Sequence, residues 1–295
     1  MLTLVTGIGN QLGVEVCLLL HEKGIDFIPT DRIILDITDK DEVEEFLKDI
    51  KPDVIFHCED YTGVDAAEGS GKEKNYLINE IGTRNIAEGA KSINAKVVYI
   101  SSDYVFDGTK SSGKYLETDE SRPINEFGKA KLLGEKAIQN ELSDFYIVRS
   151  SWIFGNYGKN FVDDMLTLSI DFDFLPAVVD EISSPTWTRN IAEFMLHLIE
   201  NDCEYGIYHF SNEGTCNHFE FAMEILKETE ATPTPVNSAK FLPQLAKRPE
   251  NSALDLSKAK ATGFNIISWQ DALAEMMKDA VLLEKVEEIP SETLV

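Results

Sequence analysis

One stretch constrains the fold of this chain more than any other: the run Lys96-Val97-Val98-Tyr99-Ile100, which ends in Ser101-Ser102-Asp103. Rich in β-branched residues, it reads as a central parallel strand, buried on both faces, that delivers hydroxyls at its carboxyl end. Ligands of doubly wound sheets bind off that end, so chemistry is expected there. Further on, Phe127-Gly128-Lys129-Ala130-Lys131 opens a helical pattern that runs to Ile138, with Phe127 and Lys131 four apart on one face. A serine, an aromatic ring and an ammonium are thus expected to converge.

The chain opens in the same style. Leu2 to Thr6 is a short apolar strand, Gly7-Ile8-Gly9-Asn10-Gln11-Leu12-Gly13 a glycine-rich turn, and the residues through Leu20 an amphipathic helix. A second strand, Asp26 to Thr30, ends at Asp31-Arg32, where an acid would bind ribose hydroxyls and an arginine would accommodate a 2′-phosphate. Thr38 and Asp39 read as the cap of a helix to Ile50. Pro52 to Cys58 is another buried strand, His57 within it a core histidine, and the exit is Glu59-Asp60-Tyr61. A helix from Asn75 to Ala90, strands at 145–149 and 206–211, and helices at 189–199 and 219–226 follow, and Thr232-Pro233-Thr234-Pro235 reads as a loop.

Composition narrows the function. With 27 basic against 52 acidic residues the formal charge is −25, a field that repels phosphate backbones and anionic lipid, so neither nucleic acid nor a membrane is expected as partner. No run approaches the ~18 apolar residues of a membrane span. The first residues lack the basic region of a signal peptide, which leaves the cytoplasm as the expected compartment. Cys17, Cys58, Cys203 and Cys216 have no metal-type spacing, so free thiols and no metal site are expected.

The stretch from Ser101 to Glu135, and Asp103-Tyr104-Val105-Phe106-Asp107-Gly108 within it, resembles the signature of the dTDP-4-dehydrorhamnose reductase branch of the extended short-chain dehydrogenase/reductases. Arg149-Ser150-Ser151-Trp152, Asp180 to Thr186, and Arg248-Pro249 to Asp255 extend the likeness. It implies an α/β fold: a Rossmann-type doubly wound parallel sheet in residues 1–150, completed by about 186–212, and a smaller α/β substrate-binding domain from 151–185 and 213–283. Residues 284–295 read as a frayed acidic tail. It also implies NADPH or NADH as cofactor and a nucleotide-sugar as substrate, and leaves a homodimer open.

In such reductases a Ser or Thr polarises a sugar ketone, and a Tyr-x-x-x-Lys pair donates the proton and holds the nicotinamide ribose. The match carries Ser102 and Lys131 across, but Phe127 stands at the tyrosine, and its ring has no proton to give. For the cofactor the resemblance implies Gly7, Asn10, Gln11, Leu12, Gly13, Asp31, Arg32, Asp36, Ile37, Cys58, Glu59, Asp60, Tyr61, Asn79 and Lys131. For the substrate it implies Ser102, Asp103, Tyr104, Trp152 and Arg248, the last reaching the nucleotide phosphates.

Three further departures fall on the cofactor side. Asn10 replaces a glycine that lets backbone approach the pyrophosphate, a position where asparagine's tolerance of left-handed backbone would help. Glu59 and Asp60 replace small apolar residues. Two like charges ~4 Å apart repel by about 4 kcal/mol at an effective dielectric near 20, so cofactor binding is expected to be weakened unless both side chains turn to solvent. Two readings follow. One is a 4-ketoreductase impaired by Phe127, with Tyr104 or Asp103 as substitute donor; the other is a non-catalytic regulatory or binding protein on the same fold.

Overall fold

A computed structural model describes residues 1–227, 229–237 and 245–287, with side chains described as far as residue 279. Six short strands, β1 (Thr3–Thr6), β2 (Phe27–Thr30), β3 (Val54–His57), β4 (Lys96–Ser102), β5 (Phe145–Ser150) and β10 (Gly206–His209), form one sheet in the order β10-β5-β4-β3-β1-β2. Every pairing in it is parallel. Strands this apolar must be covered on both faces. Leu4, Ile55, Val97 and Ile147 pack on one side with Val43 and Leu47 of α2 (Lys40–Ile50) and Ile86 of α5 (Thr83–Ile93). Val5, Phe56, Val98 and Val148 pack on the other with Leu19 of α1 (Gln11–Glu22) and Phe194 of α8 (Thr188–Glu200). The chain leaves β1 toward β2 on one side and returns to β3 on the other, so the switch point, and the crevice expected there, lies off the carboxyl ends of β1 and β3.

A separate apolar cluster joins Phe154, Met165, Leu175, Trp187, Phe221 and Trp269. Around it lie α7 (Phe161–Asp171), α9 (His218–Ile225) and three two-stranded sheets: β6 (Ile153–Phe154) with β9 (Thr186–Trp187), β7 (Phe174–Val178) with β12 (Thr232–Val236), and β8 (Ile182–Ser183) with β11 (Cys216–Asn217).

Four expectations need correction. The cap of α2 is Asp39, whose carboxylate accepts the N–H groups of Asp41 and Glu42; Thr38 instead donates its hydroxyl to Asp36 at 2.6 Å. Thr232-Pro233-Thr234-Pro235 is strand, not loop, paired in parallel with Phe174–Ala177. Its prolines alternate, so the missing N–H groups fall on the edge away from β7, while Thr232 N–H reaches Asp173 O at 2.8 Å. The helix expected from Asn75 to Ala90 is three pieces, α4 (Lys72–Tyr76), a π-helical turn (Leu77–Gly82) and α5. The acidic tail expected from residue 284 begins inside a helix, Trp269–Glu287; residues 288–295 lie outside the described residues. No helix among the described residues is long and apolar enough to cross a membrane, and none of their His, Cys, Asp and Glu side chains group as a metal site.

Candidate active site

The glycine-rich turn is built from steric necessity. Gly7 has φ +78°, and a β-carbon there would lie 2.5 Å from Glu59 N; one on Gly13 would lie 2.1 Å from Gly7 O. Strand, turn, helix and the loop after β3 therefore meet backbone to backbone. Asn10 does not use left-handed backbone: its φ is −106°, and its amide donates weakly to Cys58 O at 3.3 Å and Asp60 O at 3.4 Å. It gives α1 no side-chain cap, so the N–H groups of the first turn stay available to an anion. Leu12 points into the core, whereas Gln11 reaches across to Lys159 O and Asn160.

Beside β2, one carboxylate oxygen of Asp31 accepts the N–H groups of Ile33 and Ile34, at 2.9 and 3.0 Å. Arg32 is exposed and pairs with Asp36 at 3.3 Å. Arg32, Leu35, Asp36, Ile37, Thr38, Glu59 and Ile78 line a small hollow here. Burial first, then the charges of Asp60 and Asp31, raise the Glu59 carboxyl. These features fit a dinucleotide: a hollow and a carboxylate at β2, and an uncapped helix start behind a close glycine turn.

The loop after β3 carries the largest surprise. Asp60 turns inward, away from solvent, and its Oδ2 lies 3.4 Å from the ammonium of Lys131. Lys131 is fully buried, donates to Ile100 O at 2.8 Å and sits 4.6 Å from the centre of the Tyr99 ring. Burial alone would lower its pKa; the charge of Asp60 and the contact with Tyr99 outweigh that and raise it, so the ammonium stays protonated. Asn79, on the π-helical turn, fixes the same loop by accepting from Tyr61 N–H at 3.0 Å and donating to Tyr61 O at 3.1 Å. His57 is held between the hydroxyls of Thr6 and Thr83, which makes it the satisfied core histidine expected.

At the end of β4, Ser102 is half-buried and donates to Asp103 Oδ1 at 3.1 Å. Asp103 is buried, and its other oxygen accepts from Ser183 at 3.2 Å and Ser252 at 2.5 Å. Burial pushes its carboxyl up to about 6 against the pull of these hydroxyls. Phe127, capped into α6 (Glu126–Glu141) by Asn125, is buried with its ring edge-on to Tyr104, centroids 5.9 Å apart. Tyr104 in turn lines a cavity of about 420 Å³ with Phe161, Pro176, Glu181, His218 and Arg248. Burial, then the Asp103 charge, raises the Tyr104 phenol.

Trp152 adopts φ +43° and lays its ring 3.8 Å from that of His218. Burial, then Arg248, depresses His218 to about 4, so it is neutral at pH 7. The guanidinium of Arg248 faces this cavity, yet Asp65 already holds both of its terminal nitrogens, at 2.5 and 2.6 Å. The fork expected to grip phosphate is therefore preoccupied by a carboxylate.

The RmlD substrate binding domain family profile matches residues 1–282. The chain belongs to that family. A dTDP-4-dehydrorhamnose reductase of Aggregatibacter actinomycetemcomitans is 39% identical over 284 residues, covering 92% of this chain and 96% of that protein. The crystal structure of the Bacillus anthracis dTDP-4-dehydrorhamnose reductase in complex with NADP superposes with TM-score 0.90 at 35% identity, covering 94% of this chain and 99% of that one. The Clostridium acetobutylicum structure, a dTDP-4-dehydrorhamnose reductase ortholog, gives 0.91 at 36%, covering 96% and 100%.

Within this RmlD-family fold the predicted residues take several places. Arg32, Asp36, Ile37 and Glu59 line the hollow beside β2, Gly7 and Gly13 pack the turn against the loop after β3, and Asp60 pairs with the buried Lys131; Leu12 and Cys58 lie in the core, Tyr104 and Arg248 face the cavity, and Trp152 lies against His218. Phe127 touches the cavity wall only through Tyr104, whose ring it meets edge-on, and Ser102 bonds the buried Asp103. Sequence reasoning missed Asp65 and His218. Neither carries a local signal, because each acquires its role from a partner far along the chain.

Proposed function

We propose that this chain reduces the C4 ketone of a nucleotide-linked 4-keto-6-deoxysugar at the expense of NADPH or NADH, as an oxidoreductase of the dTDP-4-dehydrorhamnose reductase type, and does so slowly. The observation that carries the reading is the match to named reductases over nearly the whole length of the chain, with Tyr104 lining the cavity and Phe127 edge-on to it.

When bound, the dinucleotide supplies a hydride. In this reading Gly7 and Gly13 bring backbone to its diphosphate, the start of α1 receives the negative charge, and Asp31 or Arg32 meets the adenosine ribose. The sugar nucleotide takes the cavity beside Tyr104, Arg248 and the Trp152–His218 pair. Residues 1–150 with 186–212 serve the cofactor, and 151–185 with 213–283 serve the substrate. Ser102 donates its hydroxyl to the ketone oxygen. The proton that completes the alcohol has no phenol at position 127 to come from, and loss of a general acid costs roughly 10²- to 10⁴-fold in rate. Tyr104, with its phenol raised, is a weak replacement.

A second reading, a binding protein without catalysis, is favoured by the same bare ring of Phe127 and by the internal pairing of Arg248 with Asp65. Titration with NADPH and NADH, followed by an assay of dTDP-4-dehydrorhamnose reduction, separates the two. Dinucleotide binding with slow turnover supports the reductase; binding without turnover supports the second reading; a protein that binds neither dinucleotide is no reductase.

A further inference from the structure

The side chain that looks most hostile to a dinucleotide is the one best placed to receive it. Asp60 does not present a bare charge to the crevice: its Oδ2 is paired with Lys131. Its Oδ1 is buried and has no hydrogen-bond partner among the described residues: the nearby Asn79 amide favours its charged form but donates its hydrogens to Tyr61 O and Asn75 Oδ1. A buried carboxylate oxygen without a donor is costly, so the arrangement is one donor short. The backbone that carries it is fixed as well. Asp60 O accepts from Asn10 of the glycine-rich turn at 3.4 Å, and the next residue, Tyr61, is held through both its N–H and its carbonyl by Asn79.

The direction along the crevice fixes what the missing donor belongs to. A dinucleotide in a doubly wound sheet crosses the switch point: one nucleoside lies off β2, the diphosphate at the turn after β1, and the second nucleoside off the strands beyond. Those strands are β3 and β4, and Asp60 and Lys131 stand at their ends. A vicinal diol is the chemistry that suits them, because each hydroxyl donates to a carboxylate oxygen while accepting from an ammonium.

The geometry points to Asp60 as a cofactor-binding residue that accepts a hydroxyl of the second ribose while its charge is offset by Lys131. The inference rests on the proposed dinucleotide binding and reverses the sign expected from charge alone. Asp60 strengthens affinity where simple repulsion would weaken it.

The test is a set of fluorescence or calorimetric titrations of wild type, Asp60→Asn and Asp60→Ala with NADPH, NADH, ADP-ribose and ADP. ADP-ribose keeps the second ribose and ADP lacks it, so ADP also reports that each variant is folded. Loss of one hydrogen bond to a charged group predicts that Asp60→Ala weakens both dinucleotides and ADP-ribose by about tenfold or more and leaves ADP unchanged, with Asp60→Asn between. Tighter binding in Asp60→Ala, unchanged binding, or an equal loss with ADP overturns the inference and leaves the proposed function standing. A wild-type protein that binds neither dinucleotide removes both.

Discussion

Gly13 shows how little freedom a single position has here. Its missing β-carbon would sit 2.1 Å from a carbonyl oxygen of the same turn, so Gly13→Ala must displace α1 from β1. Overpacking of this kind costs about 1–3 kcal/mol, and we expect a lowered melting temperature together with loss of NADPH binding. Unaltered affinity would show that the turn does not hold the diphosphate. Gly7 and Gly13 were legible in the sequence because a glycine's role is written in its own lack of a side chain. The surroundings of Asp60 were not legible for the opposite reason. Its partner is Lys131, 71 positions later, just as that of Arg248 is Asp65, and no local pattern announces a charge's partner.

At the level of elements, the strands of the main sheet were readable from β-branched runs, and most helices from their periodicity, because burial on a regular lattice repeats along the chain. The π-helical turn was not. It inserts one extra residue per turn without any residue type that demands it, and its consequence is spatial: Asn79 reaches Tyr61. β12 was hidden by its prolines, which signal a loop unless the far edge is known to be unpaired. We predict that Asn79→Ala, which leaves the part-buried N–H and carbonyl of Tyr61 without their partner, costs about 1–3 kcal/mol. For a chain near this size the loss corresponds to roughly 2–4 °C in melting temperature per kcal/mol, readable by calorimetry. Asn79→Asp is expected to be no better, because a carboxylate would face the carbonyl oxygens of Tyr61 and Asn75 with no N–H to offer. A melting temperature equal to wild type in both variants would show that the clamp is idle.

Across the whole molecule, the pH dependence of stability follows from groups buried in the wrong charge state for acid. Burial depresses His57 and His209 from 6.5 to about 3, helped by Lys131 and Arg149 respectively. The folded state then binds fewer protons than the unfolded one, so the stability contribution is complete above pH 6.5 and is lost as pH falls toward 3. At pH 5 each of the two has lost about 2 kcal/mol. Asp103 acts oppositely: its carboxyl is raised from 3.8 to about 6, so protonation between those values favours the folded state, by about 1 kcal/mol at pH 5. The histidines win, and urea midpoints are predicted to fall from pH 7 to pH 5. A flat profile would place both rings in a more solvated setting than their burial indicates.

The central claim, proposed above, is a reductase short of one proton donor at position 127. Its most direct measurement is the rate of NADPH oxidation with dTDP-4-dehydrorhamnose, compared between wild type and Phe127→Tyr. The variant should gain about tenfold or more in kcat, within the range a restored general acid supplies. A Phe127→Tyr protein that binds NADPH and is no faster than wild type would contradict the account.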